Sequence, residues 1–259
     1  MTGLLLRQFS AAPRLVAWGC LLAIVMAAWS FLLSRTGADI VALLCGPSAL
    51  NWSWRDAGPV FAMWGAMTLA MMLPTAAPMI AAYMDIADAA RAKDMVVVPA
   101  GLLAAGYSAV WLGFAVAATA LQLAGQAKGT ALLGESMGAG VLLIGAGAYQ
   151  FSGLKHACLS KCRNPITTFM ANWSDRTIDV FAMGLRQGLN CLGCCWVIML
   201  LAFVAGLMNP LWMAAAGLFM LLEKTVSQPK SLVYGGGLGL MAAGLAQIAF
   251  HVETINAVS

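Results

Sequence analysis

The chain has 259 residues, of which 62% are apolar and 9% charged, with a net charge of +4 and a mean hydropathy of +0.86. A soluble domain carries about a quarter charged residues, so a water-soluble enzyme is excluded, as are a disordered, coiled-coil, collagen-like or nucleic-acid-binding chain. The apolar residues arrive in long blocks near the ~20 residues that cross a hydrocarbon core of about 30 Å, which predicts an all-α, polytopic transmembrane helical bundle in a lipid bilayer.

Seven blocks follow in chain order, at residues 15–33, 59–84, 96–124, 132–153, 188–208, 211–223 and 232–250. The fifth can begin as early as Asp179, and the sixth is short enough to be tilted or re-entrant. Seven crossings is therefore the expected number, with six and eight as its neighbours. The first block is longer than a signal-peptide core and lacks a small-x-small cleavage site, so it is read as retained. Cys20 sits too near the start of that block for a lipoprotein site. Without repeats or polar linkers, residues 1–259 form one integral membrane domain.

Orientation follows from Lys and Arg, which cytoplasmic loops retain. With the N-terminus cytoplasmic, Arg7, Arg14, Arg91, Lys93, Lys155, Lys161, Arg163, Arg176, Lys224 and Lys230 lie inside, while Arg35, Arg55 and Lys128 lie outside. Arg186 falls at the membrane edge. Residues 152–187 then form a basic cytoplasmic loop between the fourth and fifth helices.

Four features exceed what a plain spanning segment needs. In Gly188-Leu-Asn-Cys-Leu-Gly-Cys-Cys-Trp196, Cys191, Cys194 and Cys195 fall at i, i+3 and i+4, on one arc of roughly 100° of a helix. In Lys155-His-Ala-Cys-Leu-Ser-Lys-Cys-Arg-Asn-Pro165, Cys158 and Cys162 share a helix face, with His156 on another side. The cations around them favour thiolates, the form that binds metal. In the second block Met63, Met67 and Met71 repeat at i, i+4 and i+8, a thioether stripe. Pro74 and Pro78 follow it and predict a break in that helix. The last feature is polar: Asp85 and Asp88, then Arg186 and Gln187, then Glu223 beside Lys224. Glu223 and Lys224 mark the interface by snorkelling, and Arg186 with Glu223 is the expected ion pair, supporting the site.

Thioether and thiolate together select Cu(I) over harder ions. The leading expectation is thus a membrane protein that binds Cu(I) for transport, delivery or assembly of a metalloenzyme. Cys158, Cys162, Cys191, Cys194 and Cys195 are its ligands, and Met63, Met67, Met71 and His156 are weaker candidates. Zn(II) in a four-thiolate site is the alternative ion. Two other functions compete. One is a thiol-disulfide oxidoreductase using Cys191 and Cys194 as Cys-x-x-Cys, with Cys158 and Cys162 as relay. The other is a structural subunit of a membrane complex. No phosphate-cradling glycine loop, His-Glu-x-x-His or nucleophile-plus-base arrangement is present, so no catalytic residue is assigned. The expected partners are the bilayer and a metallochaperone or membrane metalloenzyme complex, with no nucleic acid.

The segments at residues 67–78, 153–165, 184–196 and 208–224 resemble the bacterial integral-membrane family called domain of unknown function 2182, described as predicted metal-binding proteins. The resemblance implies a multi-pass protein of the bacterial inner membrane that binds a metal. It also implies a histidine at the position of Gln187, so this chain lacks a ring nitrogen there.

Overall fold

The computed structural model describes residues 2–34, 57–127, 136–171, 173–201, 210–226 and 229–258. Among them the regular structure is all helical: α1 (Thr2–Leu33), α2 (Ala57–Arg91), α3 (Ala100–Ala127), α4 (Ser136–Gln150), α5 (Gly153–Arg163), α6 (Pro165–Ala171), α7 (Thr177–Leu200), α8 (Pro210–Thr225) and α9 (Pro229–Val258). Among the described residues five helices are long and apolar enough to cross a membrane, and α4 with α5, bent by 60° at their junction, would make a sixth, broken span. The 16 residues of α8 fall short of that length. Arg35, Arg55 and Lys128, the cations expected on the outer side, lie outside the described residues, as does the end of the fifth block.

The core is centred on α2, whose buried residues cover most of its circumference. It stays one continuous helix through Pro74 and Pro78, so the expected break does not form. Packing over most of its surface accompanies the helix across positions where two backbone donors are missing. Against α2 pack α1, α3 and α8, while α7 packs on α3. Near the C-terminal end of α2, Arg14 of α1 bridges Asp85 and Asp88 at 2.6 Å each, and Arg91 holds Asp88 at 2.7 Å. The two aspartates expected at the inner face are thus anchors between helices.

The stretch expected as a loop at 152–187 is largely helical. After the bend, Ser152 caps α5 by accepting a hydrogen bond from the Lys155 amide at 3.1 Å, which restarts the helix. Asn164 ends it, because the residue before a proline is pushed out of the α region. Short as it is, α5 packs on both α7 and α8, carrying Cys158 and Cys162 to those helices.

The α3–α7 crossing depends on Gly106 and Gly184. A Cβ on either would lie 3.1 Å from the Cα of the other, and one on Gly106 would also lie 3.0 Å from the Leu185 amide nitrogen. Since α7 carries three of the cysteines, this approach sets their position. Gly184→Leu is expected to destabilise the protein by about 1–3 kcal/mol through overpacking, read as a lowered Tm of the purified protein in mild detergent. An unchanged Tm would show that the crossing is not tight.

Candidate metal centre

The three cysteines of α7 converge as their spacing predicts. The Sγ atoms of Cys191, Cys194 and Cys195 all lie within 4.8 Å of one another, and each residue is only 1% exposed. Cys194 and Cys195 have sulfurs 3.2 Å apart, too far for a disulfide, and Cys194 Sγ donates to the Cys191 carbonyl at 3.2 Å. Cys162 of α5 faces the same cluster, its thiol interacting with those of Cys191 and Cys194. Cys158 sits one turn back over Gly193 of α7, where an added Cβ would come within 2.6 Å of its sulfur. The glycine inside the cysteine motif is therefore a notch that lets α5 approach. Cys158 and Cys162 are half-buried and Cys191, Cys194 and Cys195 fully buried, so the sulfurs grade from surface to interior.

A polar network absent from the sequence expectation surrounds Cys191. Lys224, buried at the end of α8, points its ammonium at Cys191 Sγ at 3.0 Å and at Thr75 Oγ1 of α2 at 2.7 Å. Thr75 passes its own proton to the Met72 carbonyl at 2.9 Å. Tyr107 of α3 places its hydroxyl 3.0 Å from Cys191 Sγ and 3.2 Å from the Met72 carbonyl. Helices α3 and α8 thus each bring one group to a single sulfur of α7, and α2 holds the α8 ammonium through Thr75. Beside it lies a cavity of about 20 Å³ lined by Thr75, Tyr107, Cys162, Gln187, Cys191 and Lys224, room for one water-sized species. Gln187 is 2% exposed and its amide nitrogen has no partner, although its oxygen accepts from Asn190.

Glu223 does not pair with Arg186. Its carboxylate takes the Lys155 ammonium of α5 at 2.8 and 2.9 Å, both residues being 0% exposed. Arg186 stands on the exposed side of α7, whereas Lys155 enters the α5–α8 interface and meets the carboxylate there. Arg163, at the end of α5, donates to the Glu223 carbonyl at 2.8 Å and satisfies one of the terminal acceptors of α8.

Of the weaker candidates, Met63, Met67 and Met71 are buried in the α2 core. The next step of their four-residue spacing is Thr75 and the one after is Met79, which also lines the cavity beside Cys191. Each four-residue step advances about 40° around the helix, so the series drifts, and of its members Thr75 and Met79 reach the cavity beside Cys191. His156 does not: its ring meets Tyr234 of α9 edge-on at 5.6 Å, and its Nε2 is buried without a partner. A mostly apolar cavity of about 610 Å³ between α1, α2 and α3 is lined by Cys20 alone of the cysteines, with charged groups at Arg14, Asp88 and Arg91.

Sequence reasoning missed Lys224, Thr75, Tyr107 and the role of Lys155. Thr75 had a signal, being in phase with the methionines. Lys224 and Lys155 were visible only as interface cations, and Tyr107 is an isolated polar atom in an apolar helix.

The donor set is soft, with four facing sulfurs and thioethers in line, and suits a soft ion. A family model described as PpoB2, Copper chaperone, matches residues 61–247. That span runs from the first turns of α2 into α9 and includes every residue of the centre. Comparison with curated proteins and with solved structures finds no match.

Breaking the Lys155–Glu223 pair leaves a buried charge alone, which costs about 3–5 kcal/mol. Lys155→Met and Glu223→Met are each expected to lower the Tm strongly, and the double substitution to recover most of the loss. A double variant as unstable as the sum of the singles would show that the pair is not the clamp.

Proposed function

Because the chain belongs to the PpoB2 copper chaperone family, we propose that it is a membrane protein that takes up Cu(I) at Cys191, Cys194 and Cys195 and hands it to a metalloenzyme or its assembly machinery. The observation that carries this reading is the convergence of the three buried sulfurs within 4.8 Å. Thiolate sulfur is the ligand class that Cu(I) selects, and the family description names the metal. Cys162 and Cys158, less buried and adjacent, serve as the entry or exit ligands. Met63, Met67 and Met71 form a thioether path along α2 that ends beside Thr75 and Cys191. Zn(II) is the competing ion, as sulfur coordination alone admits both.

The cationic residues support an N-terminus in the cytoplasm and a seventh crossing made by α8. The bacterial inner membrane is the compartment that goes with that topology and with the likeness to domain of unknown function 2182, which rests on the same cysteine segments. A copper metallochaperone or a membrane metalloenzyme complex is the partner. The oxidoreductase alternative is less well supported. Thiol-disulfide exchange needs a partner's sulfur to reach the attacking thiolate, and Cys191 and Cys194 are 1% exposed.

Elemental analysis of protein purified anaerobically under reducing conditions tests the ligands. Near one-to-one copper is expected in the wild type and none in Cys194→Ser/Cys195→Ser, with the variant still inserted in the membrane. Copper retained one-to-one in that variant overturns the assignment. Replacing Met63, Met67 and Met71 by Leu is expected to leave the bound copper unchanged and to slow its transfer to a thiol acceptor at least several-fold, followed by stopped-flow mixing. Unaltered transfer would remove the methionines from the path.

A further inference from the structure

Among the described residues three charged residues are buried: Lys155 and Glu223 at 0% exposure and Lys224 at 9%. Lys155 and Glu223 neutralise each other, which leaves one positive charge inside the bundle. No carboxylate accepts from Lys224. Its acceptors are a threonine hydroxyl at 2.7 Å and the Cys191 sulfur at 3.0 Å. A buried ammonium so placed is costly unless a negative partner is present. Among the described residues the groups beside it that can become anionic are the cysteine thiols and the Tyr107 hydroxyl, and of these the thiol is the more acidic by nature.

We propose that Lys224 is a specificity-determining residue of the cysteine centre, a fixed positive charge that favours a monovalent soft cation over a divalent one. The proposal rests on the reading of Cys191, Cys194 and Cys195 as the metal ligands. A metal-sulfur bond of about 2.3 Å added to the 3.0 Å contact keeps any ion on Cys191 Sγ within roughly 5 Å of the ammonium. For one and the same set of thiolates, exchanging Cu(I) for Zn(II) adds one positive charge to the centre, and Lys224 opposes that charge. At such a distance in a protein interior one unit of repulsion amounts to a ten- to hundred-fold change in a binding constant, on the order of magnitude of Coulomb's law at intermediate dielectric. The ammonium is held in place for this work. Thr75 anchors it on α2, and the hydrogen bonds of the neighbouring Glu223 carboxylate go to Lys155. Sulfur chemistry alone does not separate the two ions, whereas a charge does so by sign.

The test measures the affinities of the full-length protein for Cu(I) and for Zn(II) in detergent under anaerobic conditions. A chromogenic Cu(I) chelator and a fluorescent Zn(II) indicator serve as competitors. Lys224→Met is expected to shift the ratio of the two affinities toward Zn(II) by tenfold or more, and Lys224→Arg, which keeps the charge, to restore the wild-type preference. Thr75→Val, which frees the ammonium but leaves it charged, should give a smaller shift in the same direction and keeps the question open to decision if Lys224→Met fails to fold. Affinities for both ions that fall together, with their ratio unchanged, would make Lys224 a packing residue and overturn the proposal. The reading of the ligands fails separately: copper bound undiminished by Cys191→Ser/Cys194→Ser/Cys195→Ser locates the ion elsewhere and overturns the proposal at its premise.

Discussion

The last turn of α8 places a carboxylate and an ammonium side by side in the interior, and the bundle is organised around giving each a partner. Glu223 is met by Lys155 from α5, and Lys224 by Cys191 from α7 and Thr75 from α2. A buried charge without a partner is costly in a medium without water, so these contacts help fix which helix lies beside which. They tie α5, a short helix with little apolar surface, to a position it would not hold by burial alone. The half-buried cysteines reach the buried ones because of that tie.

The same two neighbours explain why one contact is structural and the other chemical. Lys155 and Glu223 form a closed, neutral pair whose Coulomb energy roughly offsets its desolvation, and nothing else is asked of it. Lys224 is left with a sulfur. A thiolate beside an ammonium is a weaker and more reactive partnership than a carboxylate beside one, because soft cations compete for the sulfur. The centre is thus built from a contact that can be reopened, next to one that cannot.

Much of this was legible in the sequence and some was not. The helical bundle followed from block length, and the convergence of Cys191, Cys194 and Cys195 followed from spacing alone, since residues at i, i+3 and i+4 share a face whatever surrounds them. The approach of Cys162 required the bend at residues 151–152 and the notch at Gly193, both tertiary facts. Arg186 was a reasonable partner for Glu223 by position along the membrane, but a side chain's direction around its helix decides pairing. Arg186 faces outward while Lys155 faces in. The proline pair misled for a related reason. Two prolines predict a break in an isolated helix, but α2 is packed over most of its surface.

The position of Thr75 joins these observations. It follows Met63, Met67 and Met71 in the same four-residue phase, yet a methionine there would meet Lys224 with a thioether, a poor acceptor for an ammonium. A hydroxyl is small, accepts from Lys224 and hands its proton on to the Met72 carbonyl. The stripe is therefore interrupted where a positive charge must be held still beside a sulfur, and it resumes one turn later at Met79, on the wall of the same cavity. A run of thioethers serving only as packing has no need of a polar residue at that step. Thr75 marks the point at which α2 reaches the contact between Lys224 and Cys191.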